Sequence, residues 1–254
     1  ELFAELGLSQ NKSSWINQPQ TLTNQTVVFT PSNSGFASFS NIIPNIPAHA
    51  ALLATNTLGG NGATARFNTT FFDVGARTFA LTTDTARLLA GARGSMGTWD
   101  WETAIGHSRS KVVNTTGNQV DAQVLRRFID QGGYDFLAPK PEQTAQLRVS
   151  TTRHAESELD IADFKISGTL AQLGGGALGM AAGIEARRES MFSNPDTLAK
   201  EGRLLGTGSS EYSGRRKAVA AYAELVAPLT RQLEVQAAGR FDKYDDFGSA
   251  FSPK

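Results

Sequence analysis

The chain has 254 residues, a formal net charge of zero and no cysteine. Without cysteine there is no disulfide bond or thiolate metal site, and without excess charge there is no electrostatic basis for nucleic-acid binding. The three histidines, His49, His107 and His154, match no metal-ligand spacing. We therefore predict no metal site, no cofactor and no nucleic-acid partner. No run of 18 apolar residues occurs, so no transmembrane helix is expected.

Alternation of apolar and polar residues along the chain predicts an all-β fold. Successive side chains of a strand point to opposite faces of the sheet, so a period of two residues marks a strand with one apolar and one polar face. The alternation is clearest at 163–170, 178–189 and 233–242. In chain order, the seven predicted strands are residues 1–11, 82–96, 98–112, 157–171, 176–190, 215–227 and 232–247.

A set of charged residues and one tyrosine occupies polar positions of these strands. Their neighbours along each strand are mostly Ala, Leu, Ile, Val or Gly, which defines the apolar face. Because one face of a sheet collects every second residue of a strand, we expect these polar side chains to share a single face. They are Arg87, Arg93, Glu185, Arg187, Tyr222, Glu224, Glu234, Arg240 and Asp242.

The predicted connections alternate between short and long. The short ones lie near 96–99, 171–177 and 227–232. The long ones lie at about 12–82, 113–157 and 191–215. In an antiparallel meander this order collects the long connections at one end of the sheet, which is the arrangement of a transmembrane β-barrel.

Two architectures explain the alternation. A soluble antiparallel sandwich is its commoner source. The apolar positions here are rich in Ala, Gly and Leu and hold few large aromatic residues, which is little material for a packed core. About ten strand residues at about 3.3 Å each, tilted by about 40°, would span a membrane's apolar band of about 25 Å. Composition and connections favour the barrel, with the polar face lining a wet lumen.

Two shorter features have alternative interpretations. Trp99 and Trp101 flank the first short connection, where indoles suit either a membrane–water interface or ordinary packing. The stretch VDAQVLRRFIDQ at 120–131 has apolar residues at helical spacing and is followed by Gly132 and Gly133. This pattern predicts one short amphipathic helix, which either packs within its loop or recognises a ligand.

No catalytic residue is predicted. The local pairs of candidate groups are His107 with Ser108 and His154 with Glu156. Neither pair lies in a nucleophile elbow or an HExxH signature, the patterns that would indicate a hydrolase or a metalloprotease. We therefore expect a transport or structural protein rather than an enzyme.

Two stretches resemble the barrel of TonB-dependent outer-membrane receptors. The first, DVGARTFALTTDTARLLAGARGSMGTWDWETAIGHSRSKV at 73–112, contains a TTDTxRLxAGxRG strand, a short turn and a WDWE strand. The second, AAYAELVAPLTRQLEVQAAGRFDKYDDFGSAFSPK at 220–254, contains an AYAEL strand, a PL turn and a GRFDxYxDFG strand. Residues 43–61 are loosely similar to an external loop of such receptors.

The resemblance implies a function and a location. Such receptors lie in the outer membrane of Gram-negative bacteria, in contact with the lipid bilayer and lipopolysaccharide, and import scarce nutrients, most often ferric siderophores. A plug domain fills the barrel, and the TonB complex supplies energy. By this likeness the polar-face residues would contact plug or substrate. Because neither plug nor TonB box is visible, we expect residues 1–254 to be part of a larger barrel. A passive porin or a structural barrel is the alternative.

Overall fold

The computed structural model describes residues 1–29, 63–130, 134 and 139–254. Most regular structure in these ranges is β-strand. The strands are β1 (Leu2–Pro19), β2 (Thr21–Phe29), β3 (Ala63–Thr70), β4 (Ala76–Met96), β5 (Trp99–Val120), β6 (Arg148–Gln172), β7 (Ala177–Asn194), β8 (Tyr212–Pro228), β9 (Glu234–Tyr244) and β10 (Gly248–Pro253). The helices are α1 (Ala122–Asp130), α2 (Pro141–Leu147) and α3 (Thr197–Lys200). The predicted loop resemblance at 43–61 lies outside the described residues.

Eight strands form one antiparallel sheet in the order β1-β4-β5-β6-β7-β8-β9-β10. Each strand of this main sheet pairs with the next one along the chain, so the sheet is a meander. Strands β2 and β3 form a separate two-stranded ribbon within the connection between β1 and β4. The all-β antiparallel meander expected from the sequence is therefore confirmed.

The predicted count of seven strands is wrong, because the main sheet has eight. The segment 232–247 is not one strand: β9 ends at Tyr244, and a turn over 245–247 reverses the chain into β10. Asp245 in this turn accepts a hydrogen bond from a β8 backbone amide at 2.8 Å. Gly248 has a φ of +101°, a left-handed conformation that favours glycine.

Several strands are longer than predicted. β1 continues to Pro19 and β4 begins at Ala76, where the alternation indicated a loop. The added residues mix polar and apolar side chains on both faces, so they show no clear period, yet their backbones pair across strands. Trp15 and Phe79 stack with parallel rings whose centroids lie 5.1 Å apart, which stabilises this extension.

The three predicted short connections are confirmed. Gly97 and Thr98 join β4 to β5, and the φ of +64° at Gly97 suits a two-residue hairpin turn. The β6–β7 and β8–β9 turns lie side by side, since a Cβ on Gly175 would be 2.3 Å from the Thr230 carbonyl oxygen. These turns share one end of the sheet, and the long connections share the other, which we call the loop end.

A buried hydrophobic cluster of the described residues lies in the connections at the loop end. We call it the loop core; its buried members are Leu22, Phe71, Val74, Val120, Leu125, Phe128, Tyr134 and Leu147. The helix predicted over 120–131 is confirmed as α1, which buries Leu125 and Phe128 against this cluster. The prediction of a single helix is wrong, because α2 packs against α1 and α3 lies between β7 and β8.

Candidate functional site

The cross-strand register defines two faces of the main sheet. Residues that pair directly across neighbouring strands point to the same face. One face carries a row of cross-strand partners that runs from β4 to β9, and we call it the polar face. The row consists of Arg93, Glu102, Lys165, Gly183, Tyr222 and Arg240. The opposite face, which carries Leu88 and Ile184, is the apolar face.

The register places all nine of the polar side chains singled out in the sequence on the polar face. Arg87 and Arg93 are on β4, Glu185 and Arg187 on β7, Tyr222 and Glu224 on β8, and Glu234, Arg240 and Asp242 on β9. They do not converge on one pocket. Four of them join an ion-pair network on β7–β9, and the others lie along the rest of the face.

Arg187 is at the centre of that network. Its guanidinium lies 3.7 Å from a Glu185 carboxylate oxygen and 3.3 Å from a Glu189 carboxylate oxygen. It also donates a hydrogen bond to the Tyr244 hydroxyl at 3.2 Å. Arg216 binds the same Glu189 carboxylate at 2.5 Å, so the network continues onto β8.

Arg240 extends the network onto β9. Its guanidinium lies 2.9 Å from Asp242 and 3.8 Å from Glu185. The six charged side chains of the network are between 18% and 38% exposed, so they are only partly hydrated. Three arginines face three carboxylates, and their formal charges cancel.

A second polar group lies near the short turns. The Lys165 ammonium is 2.8 Å from the Glu102 carboxylate, and the Arg93 guanidinium is 2.7 Å from the Glu1 carboxylate. These side chains and Tyr222 border a groove of about 600 Å³. Among the remaining members of the predicted set, Glu224 accepts a hydrogen bond from Gln236. Arg87 and Glu234 form no ion pair with any residue that the structure describes.

Five further residues of these polar groups were left out of the predicted set. They are Glu102, Lys165, Glu189, Arg216 and Tyr244. The alternation in the sequence already places Lys165 and Glu189 on the polar face, and extending the same parity along β5, β8 and β9 places the other three there. Their pairing could not be predicted, because it depends on the register between strands.

Accessible areas indicate that the sheet curves toward its polar face. On β8, the polar-face residues Ala218 and Ala220 are each 8% exposed, whereas Val219 between them on the apolar face is 51% exposed. The large polar-face side chains crowd one another and cover the alanines. On the apolar face the side chains diverge and remain open.

The apolar face carries a continuous band of exposed aliphatic and aromatic residues. One row crosses all eight strands: Leu2, Ala92, Thr103, Phe164, Ile184, Ala221, Phe241 and Phe251. Leu6 is 70% exposed, Ile105 64% and Ile184 60%. Such exposure means that no described element covers this face.

The band has a definite height. On β7 it runs from Leu178 to Ala186 and stops at Arg188, and β8 changes at the same row, at Lys217. Eight residue steps at about 3.3 Å extend about 26 Å along a strand, or about 20 Å along the axis of a barrel with strands tilted by about 40°. This height is close to the apolar band of about 25 Å on transmembrane barrels.

Charged residues border the band on its loop-end side. On β5 and β6 these charges pair with one another. His107 contacts the Asp160 carboxylate at 2.7 Å, and Arg109 lies 2.7 Å from Glu156 and 3.3 Å from Glu158. In this border sector, carboxylates of β6 therefore hold the Arg109 guanidinium and the His107 ring.

The loop core is fixed by two carboxylates, the buried Asp121 and the half-buried Asp73. Asp121 accepts hydrogen bonds from the first-turn amides of α1, at 2.9 and 3.2 Å, and pairs with Arg203 from the β7–β8 connection. Asp73 accepts hydrogen bonds from Tyr134 at 2.8 Å and Thr144 at 2.6 Å. Burial raises the pKa of Tyr134 far above its ordinary value, and the hydrogen bond to Asp73 raises it further. These contacts join three separate connections into one body.

The local pairs considered for catalysis have other contacts. His107 and Ser108 point to opposite faces of β5, and His107 contacts Asp160 instead. The Glu156 carboxylate, two residues from His154 on the same strand, pairs with Arg109. Within the described ranges, no group of three or more His, Asp or Glu could hold a metal ion. Over the same ranges, no helix has the length and apolar character needed to cross a bilayer.

No protein-family model, curated protein or solved structure matches this chain.

Proposed function

We propose that this chain forms part of the wall of an outer-membrane β-barrel, and that the barrel is an active-transport receptor for a scarce, bulky nutrient, with ferric siderophores as the substrate class. One observation carries the proposal: the sheet exposes an apolar band on one face and ion pairs on the other. Hydrocarbon would cover the band, and water or a plug domain would solvate the ion pairs.

Water is an unfavourable solvent for the apolar face. Leu2, Leu6 and Leu8 are 84%, 70% and 73% exposed. Burying one such side chain is worth about 1.5–3 kcal/mol, and monomeric soluble proteins rarely expose an apolar patch of this extent. A soluble sandwich would cover the band with a second large sheet, and among the described strands the remaining sheet is the short β2–β3 ribbon.

The two edges of the main sheet bear on how the chain would act. Within the described part of the chain, the outer edges of β1 and β10 have no partner strand. Unpaired backbone groups in hydrocarbon cost several kcal/mol each, so a spanning sheet requires further strands to close it. We therefore expect this chain by itself neither to form a pore nor to transport a substrate.

The transport part of the proposal draws on the resemblance to TonB-dependent receptors. In such a receptor, the Arg187 and Arg240 network would contact the plug domain, the loop core would support the external surface, and TonB would supply energy. A passive porin or a structural barrel could have the same two faces, so a measurement of energised uptake has to distinguish these alternatives.

That measurement uses the bacterium that produces this protein. Deleting the gene is expected to abolish uptake of one ferric siderophore, and a plasmid copy should restore it. Dissipating the proton gradient should abolish the same uptake in the parent strain. Uptake that survives the uncoupler would indicate a passive porin. Unchanged uptake in the deletion strain, with a weakened cell envelope, would indicate a structural barrel.

A further inference from the structure

We propose that four cations at the loop-end border of the apolar band bind the phosphate of a lipid headgroup. We call them the cation cluster; they are Arg188 on β7, Arg215 and Lys217 on β8, and Lys243 on β9. The proposal rests on the membrane position proposed above, and it adds a specific lipid site to it.

The register brings these four side chains together on the apolar face. Arg188 and Lys217 are direct cross-strand partners. Arg215 precedes Lys217 by two residues, and Lys243 pairs with Val219, two residues after Lys217. Directly paired side chains have Cβ atoms about 5 Å apart, and diagonal neighbours lie about 7–8 Å apart. Their long side chains can therefore converge on one anionic group.

The cluster has no anionic partner of its own. All four side chains are exposed, and none forms an ion pair or a side-chain hydrogen bond with a residue in the described ranges. Asp160 is the direct cross-strand partner of Arg188 on β6, but its carboxylate lies 2.7 Å from His107 and forms no ion pair with Arg188. Asp245 accepts a hydrogen bond from the Lys217 backbone amide at 2.8 Å. Like charges in direct cross-strand pairs destabilise a sheet, so a bound anion would stabilise this one.

The same border on β5 and β6 provides an internal comparison. There, Arg109 lies within 3.3 Å of two carboxylates, those of Glu156 and Glu158. The excess of positive charge is therefore local to β7–β9 and is not a general property of the border.

The position of the cluster selects a lipid over a free anion. Immediately toward the short turns, the same face carries Ala186 and Val219, followed by Ile184, which is 60% exposed. A ligand that contacts both the cations and the neighbouring apolar residues must carry an anionic group next to a hydrocarbon chain. A phosphate-bearing lipid has this structure, whereas inorganic phosphate satisfies the cations alone.

The test uses the full chain refolded in micelles of a non-ionic detergent. It is titrated with phosphatidic acid, with diacylglycerol carrying the same tails, and with inorganic phosphate, and binding is followed by native mass spectrometry. Two double variants are compared with the parent: Arg188→Gln/Lys217→Gln and Lys12→Gln/Arg231→Gln. Both remove two exposed positive charges, and only the first removes them from the cluster. Circular dichroism checks that each variant folds.

We expect phosphatidic acid to bind the parent at least about tenfold more tightly than diacylglycerol does. Each cation near an anionic lipid contributes about fivefold in affinity. The affinity of the cluster variant for phosphatidic acid should therefore fall about thirtyfold, and that of the control variant less than about threefold. Equal losses in both variants, no loss, or equally tight binding of inorganic phosphate would overturn the proposal. If the parent protein binds phosphatidic acid and diacylglycerol equally, the lipid site is refuted and the proposed membrane position stands. If the parent protein is stable without detergent and binds neither lipid, the membrane position itself is refuted.

Discussion

At the scale of single residues, glycines in the main sheet make room for aromatic rings from the neighbouring strand. A Cβ on Gly168 would lie 2.7 Å from the Trp99 ring and 2.5 Å from the Thr98 carbonyl oxygen. A Cβ on Gly183 would lie 2.5 Å from the Tyr222 ring. A ring that covers an open glycine packs on backbone, which helps to order a sheet that has few large buried residues. For Trp99, this contact supports the packing interpretation of the sequence.

Replacing Gly168 by alanine should therefore destabilise the sheet. The new methyl group meets a backbone oxygen that cannot move without disturbing the β4–β5 turn, so we expect a loss of about 1–3 kcal/mol. Gly179→Ala is the matched control, because the nearest atom to its new Cβ is 4.0 Å away. The thermal midpoint of the β-sheet circular dichroism signal in detergent measures both. Equal midpoints for the two variants would contradict this account.

Asp121 should be more important to the loop core than an ordinary helix cap. Asp121→Ala removes the α1 cap and the shorter of the two ion pairs of Arg203, whereas Asp196→Ala removes the cap of α3 and a long hydrogen bond, 3.4 Å, from the Thr152 amide. We expect a cost of about 3 kcal/mol for the first and about 1 kcal/mol for the second. Limited proteolysis of the folded protein in detergent measures how often the connections open. The Asp121 variant should be cleaved at least tenfold faster than the Asp196 variant. Similar rates would show that the Arg203 pair contributes little.

At the scale of elements, β7 offers a direct test of its two faces. Arg187 and Arg188 are adjacent, but the first pairs with carboxylates on the polar face and the second has no partner in the described ranges. Arg187→Gln should lower stability by about 1 kcal/mol, because it leaves two partly buried carboxylates short of a cation. Arg188→Gln should leave stability unchanged, because Arg188 lies in register between the like charge of Lys217 and the opposite charge of Asp160 and forms no ion pair in the described ranges. Urea titration in detergent compares them, and the reverse order would mean that the faces are assigned incorrectly.

The elements show which parts of the fold can be read from sequence. Alternation located the central segments of the long strands, because the parity of a strand is a local property. It missed β10 and the loop-end extensions, where short strands and mixed faces leave no period. The helical spacing of apolar residues predicted α1. No local pattern could predict that Asp121 would pair with Arg203, which lies 82 residues away. The ion pair of Glu189 with Arg216 could not be predicted for the same reason, since only the register brings the two residues together.

At the scale of the whole molecule, the buried cluster and the sheet have separate roles. The loop core buries its own apolar residues, whereas the apolar band of the sheet remains open along eight strands. A protein with this distribution is stable only where another apolar medium or protein covers the band. The central claim is that this medium is the hydrocarbon of a membrane.

Cysteine labelling along β7 tests this claim most directly, because the natural chain has no cysteine to interfere. Single cysteines placed at each position of 178–187 would carry a nitroxide spin label in the protein as its bacterium assembles it in the membrane, purified and reconstituted with lipid. The account predicts that accessibility to oxygen, which concentrates in hydrocarbon, peaks at Ile184 and the other even positions. Accessibility to a water-soluble nickel reagent should peak at Glu185 and the other odd positions. Even positions that are open to the nickel reagent, or closed to both reagents as in a dry protein core, would contradict it.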